Sequence, residues 1–277
     1  MKKLTALLLM STLALGVFAG CQSKEEPEDN NGVNKDTSLS YVIEKGEFVM
    51  GLDDSFPPMG FRDENNNIVG FDIDLAQAVS EKLDVELIVQ PIDWQSKELE
   101  LETKNIDCIW NGMSIDAARQ EAMTMTGPYL NNEMVFVTKA DSEVKTIADL
   151  KGKVVGVQNG STAESALTEA QSKETITEIE VIGFADNLTA FLDLETSGID
   201  AVLIDSVVAR YFITTSGKDF VVMEEELSTE QYGIGFRKGD NELEQAVSQA
   251  LLELAEEGVV AEISEKWFGE DVALIGK

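Results

Sequence analysis

The chain has no histidine at all. That removes imidazole zinc sites, serine–histidine–aspartate triads and cysteine–histidine nucleophile pairs. A catalyst made from what remains would need carboxylates, lysine, tyrosine or an external cofactor. We therefore expect no enzyme here, no metal and no cofactor. Positive charge is scarce as well: 21 Lys and Arg stand against 52 Asp and Glu, a net charge of −31 over 277 residues. So acidic a surface repels nucleic acid and anionic lipid headgroups, and no nucleic-acid partner is expected. Only two cysteines occur, Cys21 and Cys108. A disulfide is the ordinary state of an exported pair, but these two call for different explanations. Cys108 lies in the apolar run Ile106–Trp110 and reads as a small core residue of a buried strand. Beyond Cys21 there is no second hydrophobic span, which argues against a one-chain membrane sensor.

What is present begins with an export signal. Lys2 and Lys3 precede an uncharged, mostly apolar stretch, Leu4–Phe18. It matches the ~7–15-residue core of a secretory signal and is short for a membrane span, which takes ~20 residues. The stretch ends Val17-Phe18-Ala19-Gly20-Cys21. Small residues followed by cysteine resemble the bacterial lipobox, with Phe18 in place of the usual leucine. Residues 1–20 are thus read as a lipoprotein signal peptide. Cys21 is read as an acylated (palmitate-bearing) anchor on the outer face of the cytoplasmic membrane, on the extracellular or periplasmic side. Residues 21–40, rich in Glu, Asp, Asn, Lys and Ser, read as a disordered acidic tether.

From Glu47 the pattern becomes periodic. Strand-like runs at 47–52, 68–71, 85–89 and 106–110 alternate with helical ones after Phe71 and at 95–103. Asp72 or Asp74 is placed to cap the first helix. New strands follow at 134–137, 153–157, 178–182, 199–204 and 232–237. Helices are expected from Thr162, at 188–196 and at 241–258, with a short last one carrying Ile263, Trp267 and Phe268. Strands alternating with helices imply an α/β fold with a mostly parallel sheet. A single core stops growing at ~250–300 residues, so two lobes are expected, with ligand in their mutual cleft.

In such sheets ligands sit beyond the carboxyl ends of the strands. Asp53 and Asp54 follow the first strand, with Phe56 stiffened by Pro57 and Pro58. Trp94 follows another and could be core or an aromatic wall that attracts a cation. After Trp110 come Gly112, Met113, Ser114 and then Arg119, whose guanidinium can pair bidentately with a carboxylate. After Val157, Gly160, Ser161 and Thr162 open a helix, where free backbone N–H groups favour an anion. Asp205 ends a buried strand and suits an ammonium group. Together the set is complementary to an α-amino acid. Arg119 and the Ser161/Thr162 amides would take its carboxylate. Asp205, the Ser114 hydroxyl and the Gly112 carbonyl would take its ammonium.

Four segments in this order resemble the polar amino-acid family of bacterial solute-binding proteins that feed ATP-driven importers. They are Gly70–Ala76, Asn111–Arg119, Leu150–Thr162 and Gly198–Asp205. The resemblance implies a two-lobed periplasmic-binding-protein-like fold of type II, with crossovers near residues 132 and 230. Lobe 1 would comprise 41–132 with 230–277, and lobe 2 residues 133–229. It implies a site lined by Asp53, Phe56, Trp94, Gly112, Ser114, Arg119, Thr162 and Asp205, with Met113 and Ala163 bordering the side-chain pocket. It also implies a monomer that delivers ligand to an ABC permease and, through it, an ATPase. Asp116 stands where the family usually has threonine, and Ala117 where an acidic residue is frequent. Both changes bear on the helix that presents Arg119. Asp53, Asp54 and Trp94 point to arginine or lysine as ligand, with glutamine, histidine and cystine left open. A secreted dehydratase on the same fold is the alternative; it would use Asp53 or Asp54 as general acid.

Overall fold

The computed structural model describes residues 35–277. The signal peptide, Cys21 and most of the tether lie outside the described residues. Asp36–Lys277 forms one compact unit, and among the described residues no helix is long and apolar enough to cross a membrane. The tether expected to reach residue 40 stops short of it. Ser38–Lys45 is helix α1. Asp36 and Ser38 accept hydrogen bonds from the amides of Glu242 (2.7 Å) and Leu243 (3.1 Å). These amides open a helix and have no intrahelical partner, so two polar residues that read as spacer become its caps.

Strand β1 (Glu47–Leu52) precedes a small antiparallel sheet of β2 (Ser55–Phe56), β3 (Gly60–Arg62) and β4 (Ile68–Val69). Then come α2 (Phe71–Lys82), β5 (Glu86–Pro91), α3 (Lys97–Glu102), β6 (Cys108–Ser114), α4 (Ala117–Ala122) and β7 (Thr124–Met125). The long β8 (Leu130–Lys139) leads to β9 (Val154–Gln158), α5 (Thr162–Ser172), β10 (Glu180–Phe184), α6 (Asn187–Glu195), β11 (Ala201–Asp205) and α7 (Ser206–Ser216). The longer β12 (Phe220–Phe236) returns, and α8 (Asn241–Glu256) and α9 (Val259–Phe268) close the chain.

The main sheet has the order β10-β9-β11-β8-β12-β6-β1-β5, with β7 pairing on β12. Two parallel sets, β6-β1-β5 and β10-β9-β11, flank a central antiparallel pair, β8 and β12. The molecule is thus α/β and two-lobed, each parallel set forming the sheet of one half. The chain crosses between the halves on β8 and β12. Register shifts interrupt β12 between Val222 and Ser228, and such bulges bend a strand and raise its twist. One core cluster runs from Phe48, Leu75 and Trp110 through Tyr129 and Val135 to Phe191 and Ile204.

Three local expectations are corrected. Strand β6 continues to Ser114, so Asn111–Ser114 belongs to the strand rather than to a loop after it. Helix α2 is entered through Gly70 with no side-chain cap. Asp72 is instead fully buried and accepts from the Gly112 amide (2.7 Å) and the Tyr129 hydroxyl (3.0 Å), while Asp74 accepts from Lys266 and Trp267. Helix α7 and the first part of β12 had no expected counterpart. Cys108 is fully buried and unpaired.

Candidate functional site

The site is assembled from strand ends of both halves. Phe56, Trp94, Asn111, Gly112, Ser114 and Arg119 come from one half. Gln158, Ser161, Thr162 and Asp205 come from the other. Together they line a small cavity of ≈20 Å³. That is room for about one water, so a larger guest enters only with the halves apart. Eight of the ten expected residues line it. Asp53 stands one layer behind: its Oδ2 accepts from Gln158 Nε2 at 2.7 Å.

Met113 does not line the cavity, and neither does Ala163. Side chains alternate along a strand. With β6 running through Ser114, Gly112 and Ser114 face the cavity while Met113 turns away into a core with Val49, Ile109 and Met123. Ala163 is buried in the core of the other half, beside Leu167 and Val157. Asp54 also points elsewhere, into an ion pair with Arg62 at 2.6 Å.

Arg119 is only 8% exposed. Its Nη1 donates to the Ser114 carbonyl at 2.9 Å, and its Nε lies 3.5 Å from Asp116. Asp116 also caps α4 by accepting from the Arg119 amide (2.8 Å). The aspartate in place of threonine therefore keeps both the helix start and the orientation of the guanidinium. Burial lowers the Arg119 pKa, and four surrounding carboxylates, Asp116 foremost, pull it back up. Opposite, Ser161 caps α5 by accepting from the Glu164 amide (3.2 Å). The amides at the start of that helix precede its first intrahelical bond, as an anion requires.

Gly112 must be glycine. Its φ is +55°, and a Cβ there would lie 2.8 Å from Phe56 Cε1. The buried Asp72 holds its amide. Burial raises the Asp72 pKa to about 7 against the Gly112 and Tyr129 hydrogen bonds.

Asp205 accepts from Asn132 Nδ2 (2.7 Å) and from the Tyr232 hydroxyl (2.5 Å). Its pKa is raised well above the ordinary range, first by burial and then by the charge of Glu230. Glu230 was not singled out in the sequence. It accepts from Ser114 Oγ (2.6 Å) and from the same Asn132 amide (2.8 Å). Two carboxylates thus share one neutral donor, an arrangement that gains from an added cation. Nothing in the polar run Ser228–Gln231 marks Glu230. Gln158, by contrast, ends a buried strand, and the strand-end rule finds it.

Lys97 is the other residue missed. It reads as part of a polar helix, yet it is 3% exposed. Its Nζ lies 5.0 Å from the Trp94 ring centroid and donates to the Gly160 carbonyl of the other half at 3.0 Å. The cation over Trp94 is therefore the chain's own. Further bonds cross between the halves: Ser114 Oγ to Thr162 Oγ1 (3.1 Å), and Gln158 to Asp53. Hydrogen bonds to charged groups contribute about 1.5–3 kcal/mol. Lys97→Met, which keeps the stem but loses the bridge, is expected to raise ligand dissociation rates about tenfold. Association rates should stay the same; stopped-flow fluorescence reads both. Unchanged dissociation would restrict Lys97 to its own half.

The family model for bacterial extracellular solute-binding proteins, family 3, matches residues 48–270. The L-cystine-binding protein TcyJ of Escherichia coli K12 is 30% identical over 266 residues, 95% of this chain and 96% of its own length. A substrate-binding protein of an ABC uptake transporter from Streptococcus pneumoniae, solved with bound histidine, superposes with a TM-score of 0.83. It is 38% identical over 87% of this chain and 100% of that one. Tv2483 bound to L-arginine gives a TM-score of 0.83 at 30% identity, over 88% and 99%.

Proposed function

The chain belongs to the family 3 bacterial extracellular solute-binding proteins, and from that premise we propose that it captures a polar L-amino acid between its halves and hands it to an ABC permease. One observation carries the reading. Arg119 and Asp205, 8% and 6% exposed, stand on different halves and border the same small cavity. A zwitterion satisfies both and holds the halves together. Asp53, one layer beyond, suits a basic side chain, so arginine or lysine is the ligand we favour. Glutamine, histidine and cystine are the neutral or larger competitors. No reaction is required of the site; Asp53 holds a charge and does not act as an acid.

The lobes we assign are residues 41–132 with 230–277, and 133–229. Cys21 is the proposed lipid anchor, which would hold a monomeric receptor at the outer face of the cytoplasmic membrane, within reach of the permease.

A thermal-shift screen of the protein against the twenty amino acids, cystine and ornithine tests the proposal. A ligand that binds only the native state adds about 2.7 kcal/mol at a hundredfold excess over Kd. The expected result is a large upward shift with arginine or lysine. A refolded sample that shifts with none of them would end the amino-acid reading.

A further inference from the structure

Glu230 does not border the ligand cavity, but it holds the proton of a side chain that does. On β12 and β8, the two strands that cross between the halves, Glu230 stands opposite Asn132. Asn132 Nδ2 donates to Glu230 Oε1 at 2.8 Å and to Asp205 Oδ1 at 2.7 Å. Two carboxylates around one end of an amide fix that end as its NH2 group. The other end, Oδ1, accepts from Ser206 Oγ at 3.4 Å. Glu230 Oε1 is thereby held in place, and Ser114 Oγ donates to it at 2.6 Å. A serine hydroxyl has one proton and two lone pairs, and an ionised carboxylate has no proton to give. The Ser114 proton is thus committed to Glu230. The 3.1 Å contact between Ser114 Oγ and Thr162 Oγ1 is satisfied by either donor; with the Ser114 proton committed, Thr162 donates. The hydroxyls form a one-way chain that starts at Thr162, passes through Ser114 and ends on a carboxylate. Ser114 Oγ keeps one lone pair, on a residue that is 2% exposed and borders the ligand cavity.

We infer that Glu230 is a positioning residue for the ligand's α-ammonium: by drawing the Ser114 proton away from the cavity, it makes that hydroxyl an acceptor only. The inference rests on the amino-acid-receptor reading and adds how the site tells an amino acid from its close analogues. The groups that receive the ammonium are then acceptors alone: the Asp205 carboxylate, the remaining Ser114 lone pair and the Gly112 carbonyl. An ammonium brings three donors and no lone pair, and it satisfies all three. An α-hydroxyl brings a single donor, so its own lone pairs face acceptors with no proton between them. Buried polar groups left unpaired in this way are what reject a near-isosteric ligand. Glu230 therefore selects amino acids over the α-hydroxy acids that carry the same side chains, without touching either. Behind the site it borders a separate groove of ≈790 Å³, together with Asn132 and Ser206, so its side chain can be shortened without opening a void in the core.

Titration calorimetry with L-arginine, L-lysine, L-glutamine, L-histidine and L-cystine finds the tightest ligand, and the α-hydroxy acid with the same side chain is the probe set beside it. The quantity read is the ratio of the two affinities. In Glu230→Ala the Ser114 proton is free to turn into the cavity. The amino acid is expected to lose about tenfold in affinity and the hydroxy acid to lose nothing, so the ratio falls about tenfold. Glu230→Gln keeps an oxygen where Ser114 and the Asn132 amide both donate, and its ratio should stay within about threefold of wild type. Ser114→Ala lowers the ratio by itself, and adding Glu230→Ala to it lowers the ratio no further, as two residues acting through one hydroxyl require. Circular dichroism reports that each variant folds, and Ser114→Ala tests the hydroxyl independently of Glu230. An unchanged ratio in Glu230→Ala or in Ser114→Ala, a Glu230→Gln ratio as low as that of Glu230→Ala, or additive losses in the double variant overturns the positioning role and leaves the receptor reading intact. Binding of none of these amino acids by wild-type protein overturns both.

Discussion

Arg119→Ala is expected to lose measurable affinity for every α-amino acid, whatever its side chain. The guanidinium is buried, aimed by its bond to the Ser114 carbonyl and held against Asp116. Truncation leaves the ligand carboxylate desolvated without a counter-charge. Removing one partner of a buried, hydrogen-bonded pair costs about 3–5 kcal/mol, or about 10²- to 10⁴-fold in Kd. Arg119→Lys keeps the charge but not the fork, so its affinity should fall between the two. Titration calorimetry with several amino acids reads the effect, and circular dichroism reports folding. Affinity within threefold of wild type in Arg119→Ala would mean that the carboxylate is held elsewhere.

The second large effect is on selectivity. Burial raises the Asp53 pKa to about 6, and the charges of Asp186 and Asp54 add to this against the hydrogen bonds from Gln158 and Ser55. A cationic side chain needs Asp53 ionised. Above about pH 6 the affinity for arginine should be flat; below it, affinity should fall by up to about tenfold per pH unit. Glutamine needs no charge at Asp53. Asp205 and Asp72 act on both ligands, so the ratio of arginine to glutamine affinity isolates Asp53. The stability sign is the reverse. A carboxylate with its folded pKa above its unfolded value costs stability as pH rises from about 4 to about 6, by about 3 kcal/mol in all. Asp53→Asn should therefore melt higher than wild type at pH 7.5 without ligand, while losing about 10²-fold in arginine affinity. An arginine-to-glutamine ratio independent of both pH and this substitution would remove Asp53 from side-chain recognition.

The residues that could be found in the sequence share one position: the carboxyl end of a buried strand. Ser114, Arg119, Thr162 and Asp205 follow apolar runs, and the structure brings them around one cavity. The family resemblance puts Met113 at the side-chain pocket; with β6 running to Ser114, alternation turns it into the core instead. Asp72 looked like a helix cap because a carboxylate in a first turn usually is one. Its burial under Gly112 depends on β6 passing over it, which local spacing does not encode.

The amino-acid sequence by itself determined the α/β alternation, the two-lobed class and the strand ends on which the site is built, because hydrophobic period and buried-strand runs are local properties of the chain. Tertiary structure alone decided which polar residues meet across long stretches of chain. Lys97 reaches Gly160 over 63 residues, Glu230 reaches Ser114 over 116, and Gln158 reaches Asp53 over 105. Lys97 and Glu230 look like ordinary solvated polar residues along the chain, and the strand end that marks Gln158 does not name its partner. Each is placed only when β8 and β12 pair and set the two parallel sets on either side of them, because a charge or amide buried at that seam must find a partner that the chain supplies from far away in sequence.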